Sequence, residues 1–234
     1  MKRVALGLCL MALAASAGAE DRRALPGRNS YANPSAVIAA EIAFAQLAQD
    51  KGQWTAFAAT AAPDAVMFIP EMVYAQAWLK GRANPPVAVK WQPHEVWSSC
   101  DGTVIVSRGA WQRPNSTGYF TTIWQRQKKG DYKWVLDHGD VLKEPLDKPE
   151  MLAAHIADCP DKPRRLLVAK PKQTKSKTLP RLDPANRSGK SEDGTLSWVV
   201  TVDPSGARNL SVDWSKDGSI EPMLIEEVAA EDAG

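Results

Sequence analysis

Residues 118–140 read GYFTTIWQRQKKGDYKWVLDHGD, and this stretch decides the fold class. Two runs rich in aromatic and β-branched residues, YFTTIWQRQ and YKWVLDHGDVL, flank the polar turn KKGD, as an antiparallel hairpin requires. Upstream, PVAVKWQPHEVWSS and TVIVSRGAWQR extend the pattern, with CDG and PNSTG as the intervening turns. Pro93 cannot donate to a ladder, so a bulge or an edge is expected there.

Ahead of these strands the periodicity is helical. In NPSAVIAAEIAFAQLAQDKG, Asn33 is placed to cap, Pro34 suits the first turn and Gly52 follows the last periodic residue. Val37, Ile38, Ile42, Phe44 and Ala45 mark its apolar side. A short second helix carries Trp54, Phe57 and Ala61 and breaks at Pro63; AVMF is a short strand stopped by Pro70, and VYAQAWLKG suits a third helix. Helices followed by a meander of long strands predict an α+β domain.

The ends bound where the protein works. Lys2 and Arg3, the apolar run from Val4 to about Ala15, and Ala17-Gly18-Ala19 form a basic, apolar and small-residue series typical of an export leader over residues 1–19. The run is shorter than the roughly 20 residues that span a bilayer, which weighs against a retained anchor. Leu8 ahead of Cys9 is too bulky for a lipoprotein signal. The mature chain is therefore expected to begin at Glu20, in the periplasm or outside the cell. Loss of Cys9 leaves Cys100 and Cys159, which in an oxidising compartment are expected to pair rather than remain separate thiols. Such a bridge closes a loop of about 60 residues and contributes about 2–4 kcal/mol.

Charge divides the mature chain. Lys+Arg and Asp+Glu number 15 and 15 over 20–160, 10 and 2 over 161–190, and 2 and 10 over 191–234. The middle segment, rich in Lys, Pro, Ser and Thr, lacks the aromatic residues that would stack on bases, so a solvated linker over 161–192 is expected rather than a nucleic-acid site. The tail, 193–234, recovers β-rich runs around the turns DPSG and KDG and predicts two or three small strands.

The body, 20–160, resembles the nuclear transport factor 2-like, or SnoaL-like, superfamily, and more narrowly its exported bacterial members of unassigned function. The resemblance lies in GQWTAFAATAAPDAVMFIP, KWQPHEVWSSCDG and GAWQRPNSTGYFTTIWQRQKKGDYKWVLDHGD, over about residues 35–145. It implies a cone: a strongly bent antiparallel sheet wrapped around N-terminal helices, with a pocket at the open end and a possible homodimer through the outer face of the sheet. The same fold hosts isomerases, dehydratases and binding modules, so it does not specify a function.

Side chains alternate across a strand, so Asp137 and His138 must point to opposite faces. Regular alternation puts His138 with Trp134, Leu136 and Asp140, which makes His138 and Asp140 the candidate acid–base pair. Trp124, Arg126, Trp134, Glu71 and Trp91 are the candidate ligand-binding residues. Strand alternation should divide Trp91, Trp97, Trp111, Trp124 and Trp134 between the two faces. His94, His138 and His155 are too scattered for a metal motif, and no phosphate-cradling loop or nucleophile elbow is present, so neither a metal nor a cofactor is expected. The reading that follows is an exported, non-catalytic module binding a small molecule or a partner; the alternative is a small-substrate lyase or isomerase using His138 and Asp140.

Overall fold

The computed structural model describes residues 32–160 and 179–230. The leader, with its cleavage position and Cys9, and residues 161–178 of the basic segment lie outside the described residues.

Among the described residues, helices α1 (Pro34–Lys51) and α2 (Gln53–Thr60) come first, and α3 (Ala75–Leu79) follows two strands. Helix α1 lies between Asn33 and Gly52 as expected, although the Asn33 side chain makes no capping hydrogen bond, and α2 ends at Thr60, so that Ala61 begins the next strand. The buried stripe of α1 is Val37, Glu41, Phe44 and Ala48, whereas Ile42 is exposed. A carboxylate sits in that stripe because the sheet offers it three donors.

Strands β1 (Ala61–Ile69), β2 (Glu71–Tyr74), β3 (Lys90–Ser98), β4 (Val104–Arg113), β5 (Ser116–Arg126), β6 (Tyr132–Leu142) and β7 (Ala153–Ile156) form one sheet in the order β2-β1-β6-β5-β4-β3-β7. Strands β3 to β6 are the expected antiparallel meander. The expectation of a wholly antiparallel sheet is corrected at its flanks, where β1 pairs parallel with β6 and β7 parallel with β3. Pro63 does not end a helix but sits inside β1. The architecture is the α+β one expected of the nuclear transport factor 2-like superfamily, with the sheet left open.

Two irregularities decide which side chains face the helices. The register shifts between Pro93 and Glu95, where the proline predicted a bulge. It shifts again in β6, where Ile123 opposes Leu136 but Trp124 opposes Trp134. Each shift inserts a residue and reverses the alternation beyond it. Trp91, Trp111, Trp124 and Trp134 consequently share the helix-facing side, and Trp97 alone of the five faces the other way.

The tail is a second sheet of four strands, β8 (Asn186–Lys190), β9 (Leu196–Val202), β10 (Arg208–Lys216) and β11 (Ser219–Val228), in the order β11-β10-β9-β8. Strand β8 falls within the segment read as linker, so sheet structure begins before residue 193. Leu196, Trp198, Val200, Leu210 and Val212 are buried in one apolar cluster with Val104, Val106, Ile123 and Leu136 of the body. Each such side chain contributes roughly 1.5–3 kcal/mol by leaving water. The tail thus covers the outer face of the central strands, the surface through which a homodimer was expected.

Polar contacts pin the seam. Cys100 and Cys159 are bridged, with Cα atoms 5.2 Å apart. Next to the bridge, the Asp158 backbone N–H donates to Ser215 O at 2.9 Å. At the end of the seam two turns of the same sequence pattern meet, Ser99-Cys100-Asp101-Gly102-Thr103 between β3 and β4 and Ser191-Glu192-Asp193-Gly194-Thr195 between β8 and β9. In each, the central Asp accepts from the preceding Ser hydroxyl and from the following Thr hydroxyl and backbone. Each glycine takes a left-handed φ, 65° at Gly102 and 75° at Gly194, which a Cβ would disfavour. Among the described residues no helix is long and apolar enough to cross a membrane.

Candidate functional site

Between the helices and the concave side of the large sheet lies a cavity of about 330 Å³. Its apolar wall is made by Phe44 of α1, Trp54 and Phe57 of α2, Met67 and Ile69 of β1, Trp91 of β3 and Trp111 of β4. The aromatic rings support one another edge to face: Phe44 lies 4.9 Å from Phe57 and 4.8 Å from Trp91 between centroids. Arg113 and Arg208 also line it. A cavity of this size that sets an aromatic wall against several polar and charged side chains is a plausible shape for a small-molecule site.

Besides Asp140, two carboxylates reach it from its two walls, Glu41 on helix α1 and Asp137 on the concave side of β6. Glu41, fully buried at the inner end, accepts from Trp91 Nε1 at 2.8 Å, Ser107 Oγ at 2.6 Å and Trp124 Nε1 at 3.0 Å. Burial nevertheless prevails over these donors and raises its carboxyl above the ordinary range. Asp137 projects from β6, partly open to the cavity, and accepts from Thr122 Oγ1 at 3.2 Å. Burial, reinforced by the charge of Glu41, pushes its carboxyl up to about 7. Asp137 is thus a carboxyl that exchanges a proton near neutrality beside an apolar cavity, the setting in which a carboxyl serves as general acid or base.

The expectation for the DHGD motif was half right. Asp137 and His138 do point to opposite faces, but the concave one is Asp137. The reason is the β6 register shift: Trp134 shares a face with Asp137, and His138 with Leu136 and Asp140 looks outward. The His138 imidazole is 0% exposed, and its Nδ1 lies 3.1 Å from Glu226 Oε2 on the tail. Glu226 also accepts on Oε1 from Arg108 Nε and Thr121 Oγ1, each at 2.8 Å. Burial opposes the charge of Glu226, yet the His138, Arg108 and Thr121 hydrogen bonds outweigh it and hold the carboxyl below the ordinary range. His138 is therefore tied into the seam, and it also borders the cavity. Asp140 lies at the outer part of the cavity, its Oδ1 accepting from the Val141 backbone N–H at 2.7 Å, and it makes no dyad with His138.

Of the expected ligand-binding residues, Trp91 lines the cavity. Trp124 and Trp134 are on the right face but sunk in the core at 1% and 0% exposure, with Trp134 Nε1 donating to Thr60 Oγ1 at 2.9 Å. Arg126 ends β5 away from the cavity, and Glu71 begins β2 as an exposed residue outside it. The sequence reading missed Glu41, Phe44, Asp137 and Arg208. A Glu within an apolar helical stripe was the available signal for Glu41; nothing local marked Arg208, which the tail supplies. Among the described residues no group of three or more His, Cys, Asp or Glu side chains is gathered as metal ligands would be.

No protein-family model matches this sequence, and no curated protein does. Among solved structures, one described as a "putative ketosteroid isomerase" from Parabacteroides distasonis is 15% identical, covers 51% of this chain and 100% of that chain, and superposes with a TM-score of 0.38. Another, a protein of unknown function of the DUF3225 family from Pectobacterium atrosepticum, is 13% identical over 47% of this chain and 91% of that one, with a TM-score of 0.36. Neither likeness bears on what this chain does.

Proposed function

We propose that this chain binds a small, mainly apolar molecule in the concave cavity and that Asp137 exchanges a proton with it, as in an isomerase or lyase. The observation that carries this reading is Asp137 itself, a carboxyl raised to about 7 at the wall of an aromatic cavity. As the carboxylate it accepts a proton from carbon beside a carbonyl; as the acid it returns that proton to a neighbouring carbon or to a leaving group. Glu41 holds Trp91 and Trp124 in place through their indole N–H groups and adds to the pressure on Asp137.

The test is deuterium exchange into cyclohex-2-enone, followed by proton NMR in heavy water, with the intact protein and Asp137→Asn. The expected result is exchange accelerated by about a hundredfold or more, rising with pH through about 7 and abolished by the substitution. Binding without acceleration would overturn the catalytic part and leave a binding module. That second reading is favoured by one feature: Glu41, the carboxylate that α1 brings to the cavity, is engaged by three donors.

We further propose that the protein is exported and its leader removed after Ala19. The leader pattern and the Cys100–Cys159 bridge support an oxidising compartment. An intact mass from the periplasmic fraction that retains residues 1–19 would refute it.

A further inference from the structure

The carboxyls of Glu41 and Asp137 differ in what they already hold. Both oxygens of Glu41 accept, Oε1 from Trp91 Nε1 and Oε2 from Ser107 Oγ and Trp124 Nε1. Asp137 accepts on Oδ1, from Thr122 Oγ1 at 3.2 Å, and its Oδ2 has no hydrogen-bond partner among the described residues. That oxygen is not sealed in the core, and Asp137 lines the cavity. A carboxylate oxygen is therefore left to receive a donor beside the rings of Phe44, Phe57 and Trp91.

No cation of the protein answers this pair. The donors to both carboxyls are neutral, and the charge that acts on Asp137 is that of Glu41, from α1, with none from an arginine. The ladder partners of Asp137 are uncharged, Met67 on β1 and Thr122 on β5. So are the groups that α2 and β3 bring to the cavity, Trp54, Phe57 and Trp91. On β6 itself, His138 is tied to Glu226 and Asp140 to the Val141 N–H. Arg113 and Arg208 line the same cavity but are engaged, Arg113 with the Trp111 ring and Arg208 with Gly139 O and the Phe68 ring. Two carboxyls in one poorly hydrated place without a counter-charge favour a ligand that brings one, because an ion pair there is screened less than in open water. Aromatic faces add to the attraction for a cation.

We propose, on the reading of the concave cavity as a ligand site, that it takes a primary amine with a ring-sized apolar body. The body lies against Phe44, Phe57 and Trp91, and the protonated amino group donates to Asp137 Oδ2. An ammonium favours the carboxylate form of Asp137. Below about 7, where the free protein holds that carboxyl protonated, binding must therefore release its proton. A neutral molecule of the same shape leaves the proton where it is.

The experiment is calorimetric titration of the intact chain with 2-naphthylmethylamine and with 2-naphthylmethanol, at about pH 6 and about pH 8, where the amine stays mainly protonated. Buffers of different ionisation enthalpy count the protons released. These probes share the ring and differ in the charged group. At the higher pH the amine is expected to bind about tenfold tighter or better. Its affinity should fall by about tenfold at the lower pH, with close to one proton released per amine bound there and almost none at the higher. The alcohol should show neither effect. These readings need no variant to fold; Asp137→Asn should in addition bring the amine down to the alcohol's affinity and abolish the release. Equal affinity for both probes would overturn the ammonium assignment and leave the cavity as an apolar site. Binding of neither would overturn the cavity reading itself. A preference without proton release at the lower pH, or one that survives Asp137→Asn, would overturn the role given to Asp137.

Discussion

Asp101 and Asp193 hold each other: the backbone N–H of each donates to Oδ2 of the other, at 2.8 and 2.9 Å. The exchange is matched one residue away on either side. Cys100 N–H donates to Thr195 Oγ1 and Glu192 N–H to Thr103 Oγ1, both at 2.9 Å. Two turns of one pattern are thus related by a local two-fold within a single chain, as like surfaces are in a symmetric dimer. They fasten the tail sheet to the body at the bridged end of the seam.

Because each aspartate serves both its own turn and its counterpart, losing either one releases much of the same network. Asp101→Ala and Asp193→Ala should each destabilise the protein by roughly 2–4 kcal/mol, and the double variant by clearly less than their sum. A urea double-mutant cycle reads this directly. Additive losses would show that the two turns act independently.

Glu226 is the corresponding clasp in the middle of the seam. Its folded carboxyl titrates below the ordinary 4.5, so the stability it adds is complete above that value and fades as pH falls through the depressed one. Glu226→Gln should cost roughly 2–4 kcal/mol at neutral pH and progressively less in acid. Urea midpoints at about pH 7 and about pH 3 check it, and a pH-independent difference would contradict the assignment.

Asp137 carries the opposite sign. Its carboxyl is raised from the ordinary 3.8 to about 7, so the folded state favours the protonated form. The cost of ionising it is absent below 3.8, grows through the interval and is complete above about 7. Asp137→Asn should therefore stabilise the protein by roughly 1–3 kcal/mol at about pH 8 and leave it unchanged at about pH 4. Thermal unfolding at both values is the check; a loss of stability at the higher pH would mean that the carboxylate is favourably solvated.

The Cys100–Cys159 bridge joins the turn before β4 to the chain just after β7, across a separation of 59 residues. Replacing both cysteines with serine should lower stability by about 2–4 kcal/mol. Seam contacts should loosen with it, visible as faster amide exchange at Asp158 and Asp217, whose N–H groups donate to Ser215 O and to Asp158 Oδ2. Unchanged protection there would separate the bridge from tail docking.

Much of the fold was legible because its signals are local. Asn33-Pro34 and Gly52 bracket α1, KKGD turns the β5–β6 hairpin, and Pro93 marks the bulge in β3. The DHGD motif could be reduced to two opposed faces for the same reason, since alternation belongs to the strand itself. The repeated S-x-D-G-T turns were also open to reading, at 99–103 and 191–195, although only their contact reveals that they are partners.

What the sequence by itself determined was element type, the α+β order and the opposition of Asp137 to His138, all properties of neighbouring residues and their period. The tertiary structure alone decided which of those two lies on the helix-facing side of the sheet. A register shift in β6 leaves no mark as plain as a proline, and it moves Trp134 to the side of Asp137. Only the fold, too, could bring Glu226 and Arg208 to β6 across 88 and 69 residues. Such contacts come from two apolar sheet faces leaving water together, and burial of that kind has no period along the chain to read.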